Sequence, residues 1–343
     1  MQDNVNVAVI GCGYWGPNLI RNFQSLSKCR LKWMCDANPQ CIARMEEQYP
    51  DVETTTDPDK VIDDATVDAV AIATPVRYHF PLAKKCLEAG KHTFVEKPMA
   101  SSAAECLELI QLAEKRGVTL MVGHTYIYSA SVRWIKEFVE RGSLGRLICV
   151  SSQRLNLGLF QTDINVVWDL APHDLAIILY VLNERPVAVN CQGKAHFETK
   201  QEEVSNLSIE FDGGGFAMIQ SSWLHPKKVR NMTFVGSKQM LFYDDLEPVE
   251  KIKVYDKRIE PPPHHDATAE AHYLYHYGDI YSPHLREVEP LRMECQHFIQ
   301  CIITGEPPMS GGRDGLKVVQ ILEAANRSLA NGGAKVRIET VGE

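Results

Sequence analysis

Residues 11–16 read Gly-Cys-Gly-Tyr-Trp-Gly and stand directly between an apolar run, VNVAVIG (5–11), and a helix-forming stretch. No other feature narrows the fold as much. In such a strand–turn–helix setting the first glycine permits a tight turn, and the second lets the backbone approach a pyrophosphate. The third allows the helix to pack closely on the strand. Gly11, Gly13 and Gly16 hold those places, with Tyr14 and Trp15 inside the loop. Pro17 suits a first helical turn, where a missing N–H costs nothing. Phosphates would then meet unpaired amides at the helix start.

The surrounding sequence has the matching rhythm. Apolar runs at 31–36, 67–74, 92–97 and 118–124 alternate with helical patterns at about 16–26, 39–48, 79–89 and 101–116. Strands apolar on both faces, joined by helical crossovers, predict a parallel sheet covered on both sides. Ser101 with Glu105 reads as a helix start, and Gly90 and Gly117 as helix ends. Residues 1–123 are therefore expected to form a doubly wound, Rossmann-type α/β domain.

After Gly123 the pattern changes. Helices are expected at 131–141 and from Pro172 to about Leu182, with a strand-like run at 146–156. Strand-like segments then follow one another from 186 to 256. Their turns, at Asp212-Gly213-Gly214-Gly215, Gly236-Ser237-Lys238 and Asp244-Asp245, suit hairpins. Residues 257–290, with Pro261-Pro262-Pro263 and His264-His265, read as an irregular excursion before two closing helices at about 290–303 and 313–330. Residues 124–343 are thus expected to form an α+β domain with a large, open, mainly antiparallel sheet. An open sheet face, read as apolar around Met218, Ile219 and Trp223, predicts a homo-oligomer of two or four chains.

Composition excludes several classes. The 343 residues carry 36 Lys+Arg against 44 Asp+Glu, a formal net charge of −8, which disfavours a nucleic-acid partner. No stretch of 18 apolar residues suggests a membrane span, and the start MQDNVNVAVIG does not read as a secretory signal. The 10 cysteines form no CxxC pair, so reduced thiols of a cytoplasmic protein are expected rather than disulfides or a metal site.

Three clusters carry chemistry. Asp36 ends the second strand, where a carboxylate accepts hydrogen bonds from a ribose 2′-OH and repels a 2′-phosphate. No arginine adjoins it, so NAD is expected over NADP. At the carboxyl end of the 92–97 strand, Glu96, Lys97 and Pro98 face the ligand side of such a sheet, and Pro98 holds Lys97 extended. Read alone, Lys97 is an ordinary surface lysine paired with Glu96. Thr74 and Pro75 occupy the neighbouring edge; His79 is either a cofactor contact or a histidine that merely begins a helix.

The third cluster is Trp168-Asp169-Leu170-Ala171-Pro172-His173-Asp174. Asp169 and His173 lie four apart, on one helix face, and a carboxylate beside an imidazole orients it for proton transfer. The bland reading is a capping aspartate and a packed histidine. DxxxH also occurs in metal sites, but no third ligand has a matching spacing, so no metal is expected.

Taken together, the glycine motif with Asp36, the Glu96-Lys97-Pro98 triplet and DxxxHD before an open sheet resemble the Gfo/Idh/MocA oxidoreductase family, over essentially the whole chain to Asp314-Gly315-Leu316. The resemblance implies NAD(P)-dependent hydride transfer at a sugar or cyclitol hydroxyl. It carries a catalytic lysine onto Lys97 and a catalytic Asp/His pair onto Asp169 and His173, which would converge on the substrate across an interdomain cleft. Either Lys97 or His173 then serves as base, with His173 preferred for its ordinary pKa near neutrality. Ala171-Pro172 departs from the glycine and aliphatic residue of many members.

Within the family, GYWGPNLIRNF (13–23), QRLNLG (153–158), WDLAPHD (168–174) and ECQHFIQCI (294–302) look like bacterial sugar-nucleotide 3-dehydrogenases. These act in surface-polysaccharide and lipid A precursor synthesis. That likeness implies oxidation of the 3-hydroxyl of UDP-N-acetylglucosamine or its uronate to a keto sugar for an aminotransferase. Arg154, Asn156, Lys227, Lys228 and Arg230 would hold the phosphates and sugar hydroxyls. A dehydrogenase of a free sugar or inositol, and a non-catalytic dinucleotide-binding sensor, are the alternatives.

Overall fold

A computed structural model describes residues 4–198, 200–260 and 273–339. The chain forms two compact units, residues 1–129 with 288–323 and 339–343, and residues 130–287 with 324–338. The first unit is therefore discontinuous, where the sequence suggested a single cut after residue 123.

In the first unit β1 (Val5–Ile10), α1 (Gly16–Gln24), β2 (Cys29–Cys35), α2 (Pro39–Gln48), β3 (Glu53–Thr55), α3 (Pro58–Ile62), β4 (Ala69–Ile72), α4 (His79–Glu88), β5 (His92–Glu96), α5 (Ala103–Arg116) and β6 (Leu120–Gly123) alternate. The sheet order is β3-β2-β1-β4-β5-β6, all parallel. The order reverses between β1 and β4, so ligands belong outside the carboxyl ends there. Val7, Ala8, Val9, Val70, Ala71, Ile72, Phe94 and Val95 are buried on both faces of the sheet, as the continuous apolar runs require. β3 and α3 were not legible, being too short to show a period. The α5 cap is Ser102, one residue later than the sequence suggested. Its hydroxyl accepts from the Glu105 amide at 3.2 Å, while Glu105 reaches back to the Ser101 amide at 2.9 Å.

In the second unit α6 (Ala130–Glu140), β7 (Leu147–Leu157) and α7 (Val166–Leu182) lead into β8 (Pro186–Lys194), β9 (Val204–Phe211), β10 (Phe216–Ser222), β11 (Leu224–Gly236), β12 (Met240–Asp244), β13 (Ile252–Glu260) and β14 (Leu274–Tyr281). With β15 (Val336–Arg337), the sheet among the described residues runs β14-β13-β12-β11-β7-β10-β9-β8-β15. Only the β7–β10 pair is parallel within that ladder; the other pairs are antiparallel.

Three expectations need correction. Helix α7 begins at Val166, capped by Asn165 Oδ1 accepting from the Trp168 amide at 3.1 Å, so Pro172 is interior rather than first-turn. Proline there offers no amide to the Trp168 carbonyl. Second, the outward face of β10 carries Met218 and Gln220, whereas Ile219 and Trp223 are each 1 % exposed. The pleat sends alternate residues of β10 inward. On the outward face Met218 is paired with Ser151 and Ser208, and Gln220 with Gln153 and Asn206, so that face is mixed rather than apolar. Third, much of the supposed excursion is strand: Arg258 of β13 pairs with His276 of β14. The stretch with Pro261-Pro262-Pro263 and His264-His265 lies outside the described residues.

Helix α8 (Pro290–Thr304) belongs to the first unit, where Phe298 makes edge-on contacts with Phe23 and Phe94 at centroid distances of 6.3 and 5.7 Å. Helix α9 (Gly312–Ala330) follows. Among the described residues no helix is long and apolar enough to cross a membrane.

Candidate functional site

The glycine loop is built for close approach. Gly11 has φ of +103°, and a Cβ there would lie 2.6 Å from the Ala73 carbonyl; at Gly16 a Cβ would collide with the Gly11 carbonyl oxygen. At Gly13 a Cβ would meet nothing within 4 Å, so its missing side chain leaves open space beside the loop. Helix α1 starts at Gly16 without a side-chain cap; Pro17 brings no amide to its first turn, and the Asn18 amide donates to the Trp15 carbonyl at 2.9 Å. On the adjacent strand end Asp36 Oδ2 accepts from the Cys12 amide at 2.7 Å and Oδ1 from the Asn38 amide at 2.8 Å. Each oxygen retains a further lone pair for a ribose hydroxyl. Arg44, which nothing local in the sequence singled out, reaches from α2 to the Cys12 carbonyl at 3.0 Å.

The carboxyl ends of β4, β5 and β6 supply the next groups. Thr74 Oγ1 is buried with no hydrogen-bond partner, and Pro75 is exposed beside it. His79 is 1 % exposed, with Nδ1 at 2.8 Å from the Pro98 carbonyl and Nε2 at 2.8 Å from the Thr74 carbonyl. Its ring therefore braces the Lys97–Pro98 segment against the end of β4 instead of facing a ligand. Burial lowers its pKa, although both carbonyls favour protonation. Tyr14 is 90 % exposed, whereas Trp15 donates its Nε1–H to Glu96 Oε1 at 2.6 Å. Burial pushes the Glu96 carboxyl up to about 7, against the opposing pull of Lys97 and of the Trp15 bond. His124, next after β6, is 3 % exposed and held down to about 4, first by burial and then by Lys97.

These features fit a dinucleotide: a loop that side chains would block, an uncapped helix start, an orphaned buried hydroxyl and a carboxylate on the neighbouring strand.

In the second unit Asp169 and His173 lie one turn apart on α7, both half-buried. Asp169 Oδ2 accepts from Trp223 Nε1 at 2.9 Å, a contact that sequence spacing could not reveal. His173 lines a small pocket, about 50 Å³, with Arg154, Leu155, Asn156, Leu170, Lys228 and Arg230. Five of the expected residues, Arg154, Asn156, His173, Lys228 and Arg230, thus meet there. Lys227 does not: an irregularity in β11 between Leu224 and Val229 breaks the alternation, and Lys228 lines the pocket instead. Arg154 plays a different part from the one expected. Its Nε and Nη2 are committed to Asp174 at 2.8 and 2.9 Å in a buried, two-pronged ion pair that ties β7 to α7. Arg230 faces Asp245 at 3.5 Å.

Comparison with known proteins agrees with both halves. Residues 5–124 match the family described as oxidoreductase, NAD-binding Rossmann fold, and residues 132–242 match the GFO/IDH/MocA C-terminal domain. The chain is 26 % identical to the Bacillus subtilis oxidoreductase YrbE, covering 97 % of this chain and 96 % of that protein. It is 23 % identical to the myo-inositol 2-dehydrogenase of Thermotoga maritima, over 95 % of this chain and 96 % of that one. In structure it is similar to the UDP-N-acetylglucosamine 3-dehydrogenase GnnA of Acidithiobacillus ferrooxidans, with a TM-score of 0.79 over 96 % of this chain and 99 % of that one. At 22 % identity that likeness speaks for the fold alone. Two family matches covering both units, joined to a dinucleotide cradle and a histidine-lined pocket, make this chain a member of the Gfo/Idh/MocA family of NAD-binding oxidoreductases.

Proposed function

We propose that the protein is an NAD-dependent dehydrogenase that oxidises the 3-hydroxyl of a nucleotide sugar of the UDP-N-acetylglucosamine or uronate type. The observation that carries this reading is the pocket where His173 meets Asn156, Lys228 and Arg230. A proton-transfer group beside an amide and two cations suits a sugar bearing phosphates.

NAD, when bound, would supply the hydride-accepting chemistry that oxidation of a carbinol carbon needs. Gly11, Gly13, Gly16 and Asp36 would hold it, with Thr74, Pro75, Glu96 and Lys97 at the strand ends and Tyr14 and Trp15 in the loop. Hydride leaves a carbinol carbon only as the hydroxyl proton departs, so a base must touch that oxygen. His173 takes the proton, held by its helix beside Asp169, whose carboxylate is fixed by Trp223. Lys97 donates a hydrogen bond to the developing carbonyl. The 3-keto product is a substrate for an aminotransferase, and the protein works as a homodimer or homotetramer in the cytoplasm.

A free sugar or inositol is the second reading. It is favoured by the carboxylate partners of Arg154 and Arg230, which draw positive charge away from the pocket. NADH absorbance at 340 nm, on adding UDP-sugars, free sugars and inositols to enzyme and NAD, separates the two. Turnover of UDP-N-acetylhexosamines alone is expected; turnover of inositol alone overturns the nucleotide-sugar assignment.

A further inference from the structure

One end of the second unit's sheet gathers aromatic side chains that its core does not enclose. Phe160 follows β7, Phe197 follows β8, and Trp223 sits between β10 and β11. The strand directions place these three positions at the same end, with Leu224 of β11 paired to Leu157 of β7. Phe160 meets Trp223 at a centroid distance of 5.6 Å and Phe197 edge-on at 5.2 Å. Trp223 is buried, but Phe197 is 53 % exposed and Phe160 36 %. Leu157 and Leu159 in the same segment are exposed as well. Scattered apolar residues on a surface are ordinary, whereas two rings in contact beside a pocket call for a ligand.

The loop that carries Phe197 is held from below. Glu203, 0 % exposed, accepts from the His196 amide at 2.8 Å and from the Phe197 amide at 3.0 Å. Its backbone carbonyl accepts from the Trp223 amide at 2.9 Å. Burying a carboxylate is costly, and here its bonds fix an exposed phenylalanine in place.

The rings adjoin the His173 pocket. A Cβ on Gly158 would lie 2.9 Å from Trp223 Cδ1 and 3.2 Å from the Asn156 side-chain amide, so glycine lets the indole and the Asn156 side chain lie close together. Trp223 Nε1 in turn donates to Asp169, one turn from His173. The pocket itself, about 50 Å³, holds only a fraction of a nucleotide sugar, so the rest of such a ligand lies on its surroundings. On the β11 side these are Lys228 and Arg230; beyond Asn156 they are the two phenylalanines.

We propose that Phe197, supported edge-on by Phe160, stacks on the planar base of the substrate's nucleoside diphosphate. Every nucleobase has a π face, and an aromatic ring already held in place loses little freedom on meeting it. The proposal rests on the nucleotide-sugar reading and adds the side chain that grips the nucleoside.

Calorimetric titration of the whole protein, with NADH saturating so that the dinucleotide cradle is filled, compares UDP with inorganic pyrophosphate, which lacks the base. The wild type should bind UDP about 5- to 100-fold more tightly than pyrophosphate. Phe197→Ala, at a largely exposed position, should lose most of that preference and keep its affinity for pyrophosphate. Phe197→Trp should retain the preference. A preference that survives in Phe197→Ala overturns the proposal. An equal loss of pyrophosphate affinity overturns it too, since the ring would then shape the phosphate site rather than grip the base. A wild type that binds both probes equally overturns the stacking alone, whereas one that binds neither rejects the nucleotide-sugar reading itself.

Discussion

Trp15 Nε1 donates to Glu96 Oε1 at 2.6 Å, joining the glycine loop to the end of β5 across 81 positions of sequence. The bond partly satisfies a buried acceptor that burial has already made costly to ionise. Trp15→Phe keeps the ring and removes the donor. It should lower stability by about 1–3 kcal/mol, read from urea denaturation, and raise the Glu96 pKa further. Unchanged stability would mean that solvent replaces the indole.

Glu96 also predicts how stability depends on pH. The folded chain holds this carboxyl protonated to about 7, while its ordinary value is 4.5. Between those values the folded state binds more protons, so stability is greatest on the acid side and falls as pH rises through about 7. The loss attributable to this group is about 3 kcal/mol. Denaturation curves at pH 5 and pH 8 should show the difference in the wild type and a much smaller one in Glu96→Gln.

Arg154 and Asp174 form a buried pair, so breaking it strands a charge. Asp174→Ala should cost about 3–5 kcal/mol, while Arg154→Met combined with Asp174→Leu recovers most of that loss. A substrate-binding arginine would behave otherwise, raising KM with little change in the denaturation midpoint.

Asp36→Ala should weaken NAD binding by about 1.5–3 kcal/mol, because the ribose hydroxyls and the Cys12 amide lose a charged acceptor. NADP should gain relative to NAD. A wild-type protein that prefers NADP in fluorescence titration would refute the ribose argument.

Lys97→Ala and His173→Ala should each reduce kcat by about 10²–10⁴ with NAD affinity nearly unchanged. Steady-state kinetics with a verified substrate decides this; near-wild-type turnover in both variants rejects the proton-transfer roles.

The features written in the sequence are the local ones. Alternating apolar runs determine the parallel sheet, since a strand covered on both faces admits no polar face. Gly11 and Gly16 determine the cradle, because only glycine tolerates the positive φ of the first and the close contact of the second, while Gly13 leaves the space beside the loop open. The i,i+4 spacing of Asp169 and His173 survives the misplaced start of α7, since helical period does not depend on where the helix begins. Tertiary structure decided which distant groups meet. It brought α8 to the first unit through Phe298, buried Glu294 against Thr125, turned Arg154 into a strut for Asp174 and committed His79 to two carbonyls. In ECQHFIQCI a charged residue amid apolar neighbours was the trace of that buried carboxyl, but a sequence does not name its partner. Burial and pairing are properties of three-dimensional neighbours, and the same arginine is a ligand in water and a strut in a core.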